Sequence, residues 1–254
     1  MRKASLFSRG SKIPALGGDI VAAKAFSRKQ AVFNEKAQQY ARQGVITTPG
    51  YLRLETGQVP NAAASVFNFN TLDTSGTKTV TERRLKLADT FTITDISFYI
   101  GANSFTTAVG NDDYAKQRLF TYPNPNYAGF LAKDDDLEAI YNGYLSLRVD
   151  TTTFLDSVPM RQFYRVGTSQ AVAAATNQNG IGRDEWPLSM YGRTDLLPTI
   201  ELNGQSNIEW SLNLPNAQNI SGASGYFTNM ILILTGFLNQ GAATVQRNIQ
   251  QRLR

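Results

Sequence analysis

Several carboxylate-rich runs are the first residues in this chain that could do chemistry. Asp134, Asp135 and Asp136 with Glu138, and separately Asn111, Asp112 and Asp113, offer the oxygen ligands that Ca²⁺ takes. Neither run has EF-hand spacing. Acids at 134–136 equally suit the first turn of a helix running to Tyr141, where the dipole favours negative charge, and that reading is adopted with no metal assigned. Glu201 and Glu209 could supply the two carboxylates of a glycosidase, but Glu209 falls on the polar face of an alternating segment. Gly222-Ala223-Ser224-Gly225 is one residue short of a nucleophile elbow and reads as a turn. The chain has no Walker loop and no dinucleotide fingerprint. Arg83, Arg84 and Lys86 form a small basic patch that reads as a solvated strand edge, where charge discourages stray pairing.

Two absences weigh more than these runs. None of the 254 residues is His or Cys. That removes the commonest general base, the Ser-His-Asp triad, thiolate nucleophiles, disulfides and the usual zinc ligands. The chain therefore reads as a non-enzyme without a cofactor. Asn219-Ile220-Ser221 fits a glycosylation acceptor, which matters only in a secreted chain. The nearest apolar stretch, 13–26, is broken by Asp19 and Lys24, so no signal peptide is expected, nor is any membrane span.

Charge is segregated along the chain. Residues 1–45 hold nine basic residues (Arg2, Lys3, Arg9, Lys12, Lys24, Arg28, Lys29, Lys36 and Arg42) against Asp19 and Glu35. The last eight residues add Arg247, Arg252 and Arg254 with no acid. The segment between them is net acidic, although the whole chain is +5. An acidic body with basic ends implies termini that seek polyanions. Lys and Arg on phosphates release counterions without reading sequence, so these twelve residues are the candidate nucleic-acid contacts. The N-terminal stretch lacks the strong apolar face that a membrane-surface helix needs.

Helix-forming Ala, Lys, Gln and Arg fill residues 19–43, between the Gly17-Gly18 turn and Gly44. As one helix this segment is about 37 Å long; a break at Ser27 would leave a shorter one. Phe26, Phe33 and Tyr40 recur every seven residues and make one narrow apolar stripe. Such a stripe must dock, either on the chain's own body or on a neighbouring subunit, and these three residues are the candidate subunit contacts.

Beyond residue 50 the period changes to two. In 207–214, Ile208, Trp210, Leu212 and Leu214 face one way and polar residues the other. Residues 145–149 alternate in the same manner. Phe91 and Ile93 are followed by Ile96, Phe98 and Ile100 with the phase shifted by one, which predicts a β-bulge near Asp95. Residues 227–238 are apolar on both faces, as a fully buried strand would be. Weaker strands are expected at 52–55, 65–69, 78–87, 160–166 and 198–202. The long connections 102–142 and 167–197 are expected to make subunit or ligand contacts.

The layout divides into a basic, partly helical arm (1–48), a β body (49–240) and a basic tail (241–254). It resembles jelly-roll capsid proteins of small icosahedral viruses, including bacterial viruses. The segments Pro198-Thr199-Ile200-Glu201-Leu202-Asn203-Gly204 and Met230-Ile231-Leu232-Ile233-Leu234-Thr235-Gly236-Phe237 are similar in style to phage virion proteins. The fold class expected is mostly β: an antiparallel β-sandwich or single jelly roll with an N-terminal helical arm. The resemblance implies a virion protein made in a host cytoplasm that tiles a homo-oligomeric shell. Its termini would lie on the genome or knit neighbours together, and other virion proteins would be further partners. A different reading is a carbohydrate- or receptor-binding β-sandwich, in which Tyr122 and Tyr127 stack on sugars; a third is a hydrolase built on Glu201 and Glu209.

Overall fold

The computed structural model describes residues 17–41, 43–56, 63–74, 77–105, 111–166 and 193–243. Helix α1 (Gly17–Ala41) runs unbroken past Ser27 and begins two residues before the expected Asp19. Gly44 ends it: its φ of 72° is the left-handed conformation that glycine adopts without penalty, and the Gln43 and Val45 amides turn back onto the Tyr40 carbonyl at 2.9 and 3.3 Å. The remainder is mostly β. Its strands are β1 (Ile46–Thr56), β2 (Ala64–Asn70), β3 (Thr90–Ser104), β4 (Arg118–Phe120), β5 (Tyr144–Val149), β6 (Thr152–Pro159), β7 (Arg193–Asn203), β8 (Ile208–Gln218) and β9 (Tyr226–Gln240). Two short helices, α2 (Asn111–Ala115) and α3 (Asp134–Glu138), interrupt them.

The strands form two antiparallel sheets. In one, β9 lies between β1 and β3, and the far side of β3 pairs with β7 along its first half and with β4 near its end. The other has the order β2-β8-β5-β6. The partnerships are nested: first strand with last (β1/β9), β2 with β8, β3 with β7, and the hairpin β5/β6 innermost. Successive nested pairs alternate between the two sheets.

The alternation read from the sequence explains the core. Ile208, Trp210, Leu212 and Leu214 of β8 join Phe67, Phe69, Leu145 and Leu147 from their own sheet. They meet Leu52, Leu54, Phe91, Ile93, Ile96, Phe98, Met230, Leu232 and Leu234 from the other in one continuous cluster. The bulge falls between Ile93 and Asp95 in the pairing of β3 with both neighbours. It keeps Phe91 and Ile93 on the same face as Ile96, Phe98 and Ile100, so the phase slip costs no burial.

Four segments depart from expectation. Residues 78–87 make only two isolated bridges, Arg53 with Arg83 and Leu72 with Leu85. Residues 160–163 form a 3₁₀ turn that buries Met160 and Phe163 at a spacing no strand face has. Strand β6 was not expected, because its side chains are almost all exposed and carry no period-two signal. Strand β4 is too short to show one.

Candidate functional site

Helix α1 brings most of the describable candidate residues onto the outer face of the β1/β9/β3/β7 sheet. Phe33 packs on Phe237 with ring centroids 5.3 Å apart, and Tyr40 is fully buried. The stripe is thus used inside the chain at these two positions; of the alternatives, docking on the chain's own body is the arrangement found there. The side chain of Phe26 lies outside the described residues.

The cations beside that stripe are engaged as well. Lys36 binds Glu201 at 2.7 Å, and the Tyr40 hydroxyl donates to the same carboxylate. Lys29 bridges Asp95 and Asp195, which sit directly opposite each other on β3 and β7. The Arg28 guanidinium donates to the Leu196 carbonyl at 2.9 Å. Arg28, Lys29 and Lys36 were expected on phosphates; here their charges meet carboxylates and a carbonyl of the same chain. The backbone of Lys24 lies in α1, with its side chain outside the described residues. Arg2, Lys3, Arg9, Lys12, Arg42, Arg247, Arg252 and Arg254 also lie outside them.

Electrostatics follow this geometry. Burial would raise the Asp95 carboxyl, but hydrogen bonds with Asp195, Lys29 and Thr94 outweigh it and hold it below its ordinary value. Asp195 is pushed up, first by its hydrogen bond with Asp95 and then by burial. Two facing carboxylates repel, and Lys29 relieves only part of that. Burial, then the hydrogen bond to Glu201, raises the Tyr40 hydroxyl.

A second polar cluster fixes segment 77–85 against the same sheet. Glu55 accepts from Arg53 at 2.7 Å, Thr81 at 2.6 Å and Asn229 at 2.9 Å. Glu82 pairs with Arg84 at 2.8 Å and accepts from the Thr79 amide at 2.9 Å. Both carboxylates are almost fully buried with their partners around them, which marks a structural knot. Tyr114 nearby is pushed up to about 12 by burial and then by the charges of Glu55 and Glu82.

The other candidates resolve plainly. Asp134, Asp135 and Asp136 form the first turn of α3, as the helix-start reading expects, and no cluster of three or more metal-binding side chains occurs among the described residues. Glu201 and Glu209 belong to different sheets and point from opposite outer faces, with the core between them. They cannot flank one glycosidic bond, which needs carboxyls within about 10 Å. Tyr127 is buried among Phe120, Phe130 and Tyr226, so this ring, expected to stack on sugars, serves as core, while the half-buried Tyr122 packs on Tyr164. The chain turns at 223–226, where the Tyr226 amide donates to the Ala223 carbonyl at 2.9 Å and Gly225 has φ of 78°. No described helix is long and apolar enough to cross a membrane.

Sequence reading missed Asp95, Asp195 and Glu201 as anchors of α1. A visible signal existed at Asp95: an acid inside a strand apolar on both sides of it needs a buried cation. Compared with known protein families, curated proteins and solved structures, the chain matches none.

Proposed function

We propose that this chain is a virion structural protein, a capsid subunit that self-assembles into a shell and contacts the packaged genome through its basic termini. The observation that carries the reading is the nested strand pairing. A long antiparallel hairpin whose successive pairs alternate between two sheets is the winding of an eight-stranded jelly roll, a fold common in viral capsids. On this reading the body is a single roll, β4 is an addition to it, and α1 belongs to an N-terminal arm. Fold alone does not set function, because lectin domains share the roll. The charge layout weighs for the capsid: an acidic body solvates the particle while basic ends neutralise phosphate. Burial of Tyr127 weighs against the sugar-binding alternative.

The test is light scattering on the eluting full-length protein, with absorbance at 260 and 280 nm and electron microscopy of the peak. Regular particles with excess absorbance at 260 nm are expected. Changing Arg2, Lys3, Arg9 and Lys12 together to Gln lowers the packaged nucleic acid without unfolding the body. A monomer free of nucleic acid at both low and physiological salt overturns the proposal.

A further inference from the structure

Segment 77–89 runs beside the edge of β1 that β9 leaves unpaired, pinned by the bridge of Arg83 to Arg53 and of Leu85 to Leu72. Between it and the first half of β1 lies a cleft of about 590 Å³, a size that takes small organic ligands. Its apolar lining is the half-buried Leu238, while Leu52 and Phe91 beside it are buried. Lys78, Arg83 and Lys86 line its basic part.

The cations differ in how they are committed. Lys78 is paired with Asp73 at 2.7 Å, and Arg84 is closed onto Glu82. Arg83 and Lys86 are exposed and have no ion-pair partner among the described residues. The Arg83 guanidinium carbon lies 5.1 Å from the centre of the Tyr51 ring, which is 46% exposed at the same cleft. Asp89, the other acid of the lining, accepts from the Gly241 amide at 2.8 Å. The local field is positive: the hydrogen bond from Lys78 holds Asp73 below its ordinary value, and the charges of Arg84 and Lys86 add to that effect. Cations without an ion-pair partner beside an exposed aromatic ring are what a phosphate joined to a flat ring requires.

We infer that this cleft binds a nucleotide unit, with phosphate on Arg83 and Lys86 and the base against Tyr51. The site lies in the body, so it depends neither on the basic termini nor on assembly of a shell. A free mononucleotide and one nucleotide of a single strand present the same chemistry.

The full-length chain is titrated calorimetrically with adenosine monophosphate, and a 4-thiouridine-labelled RNA dodecamer is photo-crosslinked to it and mapped by mass spectrometry. Saturable binding of the mononucleotide, weakened about tenfold or more in Arg83→Gln/Lys86→Gln, is expected. Crosslinks at Tyr51 that vanish in Tyr51→Leu are expected as well. All three residues are exposed, so these variants retain the fold. Changing Arg2, Lys3, Arg9 and Lys12 to Gln leaves mononucleotide binding intact, which separates this site from the terminal contacts. Crosslinking at Tyr51 without mononucleotide binding also supports the inference and assigns the strand as source. Binding unaffected by Arg83→Gln/Lys86→Gln, or neither binding nor crosslinks at the cleft, overturns it.

Discussion

The two sheets share one core but differ on their outer faces. The β1/β9/β3/β7 sheet is covered by α1 and by segment 77–85, so Thr90, Thr92, Asp95, Ser97, Asn229 and Asn239 are buried although polar. The β2/β8/β5/β6 sheet leaves Arg148 and Glu209 exposed on its outer face, while Ser146, Ser211 and Asn213 hydrogen-bond among themselves at 2.8 to 3.3 Å. A polar face in water needs no partner, whereas the same face under a helix needs a donor or acceptor at each position. The covering elements therefore carry charge: Lys29 and Lys36 from α1, Arg84 from the loop. The match is incomplete, since Thr92 Oγ1 and Ser97 Oγ are buried without a hydrogen-bond partner.

The largest effect should come from the part both sheets share. Trp210 is fully buried, and Trp210→Ala should lower stability by about 4 kcal/mol in urea unfolding through lost burial and a cavity. A loss below about 1 kcal/mol would mean the sheets do not depend on one core. Next comes the knot on the covered face. Glu55→Gln should cost about 3 kcal/mol, because Arg53, Thr79, Thr81 and Asn229 all donate to that carboxylate. Guanidinium unfolding of the variant checks this; a neutral outcome would show the loop to be held by packing alone.

What the sequence revealed follows the same division. The bare-faced sheet has one environment per side, so β8 and β5 alternate cleanly and read directly. Strand β3 was legible down to its bulge, because Phe91, Ile93, Ile96, Phe98 and Ile100 must share the core. Its covered face was not legible, since Thr, Asp and Ser there look like solvent positions and only the docked helix buries them. Tyr40 read as a member of an apolar stripe, yet its hydroxyl and Lys36 converge on Glu201, a partner 161 residues away from Tyr40. The pairing of Glu201 with α1 leaves no local pattern in the chain. Residues 1–16, 167–192 and 244–254 lie outside the described residues, so the nucleic-acid contacts expected at Arg2, Lys3, Arg9, Lys12, Arg247, Arg252 and Arg254 stand on charge alone.

Two glutamates on the two outer faces give the direct comparison. Glu201, 15% exposed, anchors Lys36 and Tyr40; Glu209, 53% exposed, faces Arg148 at 3.9 Å. Glu201→Gln should lower stability by about 2 kcal/mol and increase hydrogen exchange throughout the second half of α1. Glu209→Gln should stay within about 0.5 kcal/mol of the parent. Equal effects would mean that covering by α1 contributes nothing to the distinction between the faces.

The smallest and sharpest effect concerns Asp195, whose sign is opposite to that of its neighbour. Asp95 has its carboxyl lowered, so its contribution is present above the ordinary value of 3.8 and is lost as pH falls through the lower folded value. Asp195 has its carboxyl raised, so its ionisation opposes folding as pH rises through the raised value. Asp195→Asn should therefore stabilise the protein at pH 7, by only a few tenths of a kcal/mol because the side chain is half exposed. The gain should disappear once acid protonates Asp195 in the parent. Thermal unfolding of parent and variant between pH 3 and 7 reads both limbs. A variant less stable than the parent at pH 7 would mean that the attraction of Lys29 for Asp195 exceeds the repulsion from Asp95, and that the covered face tolerates both charges.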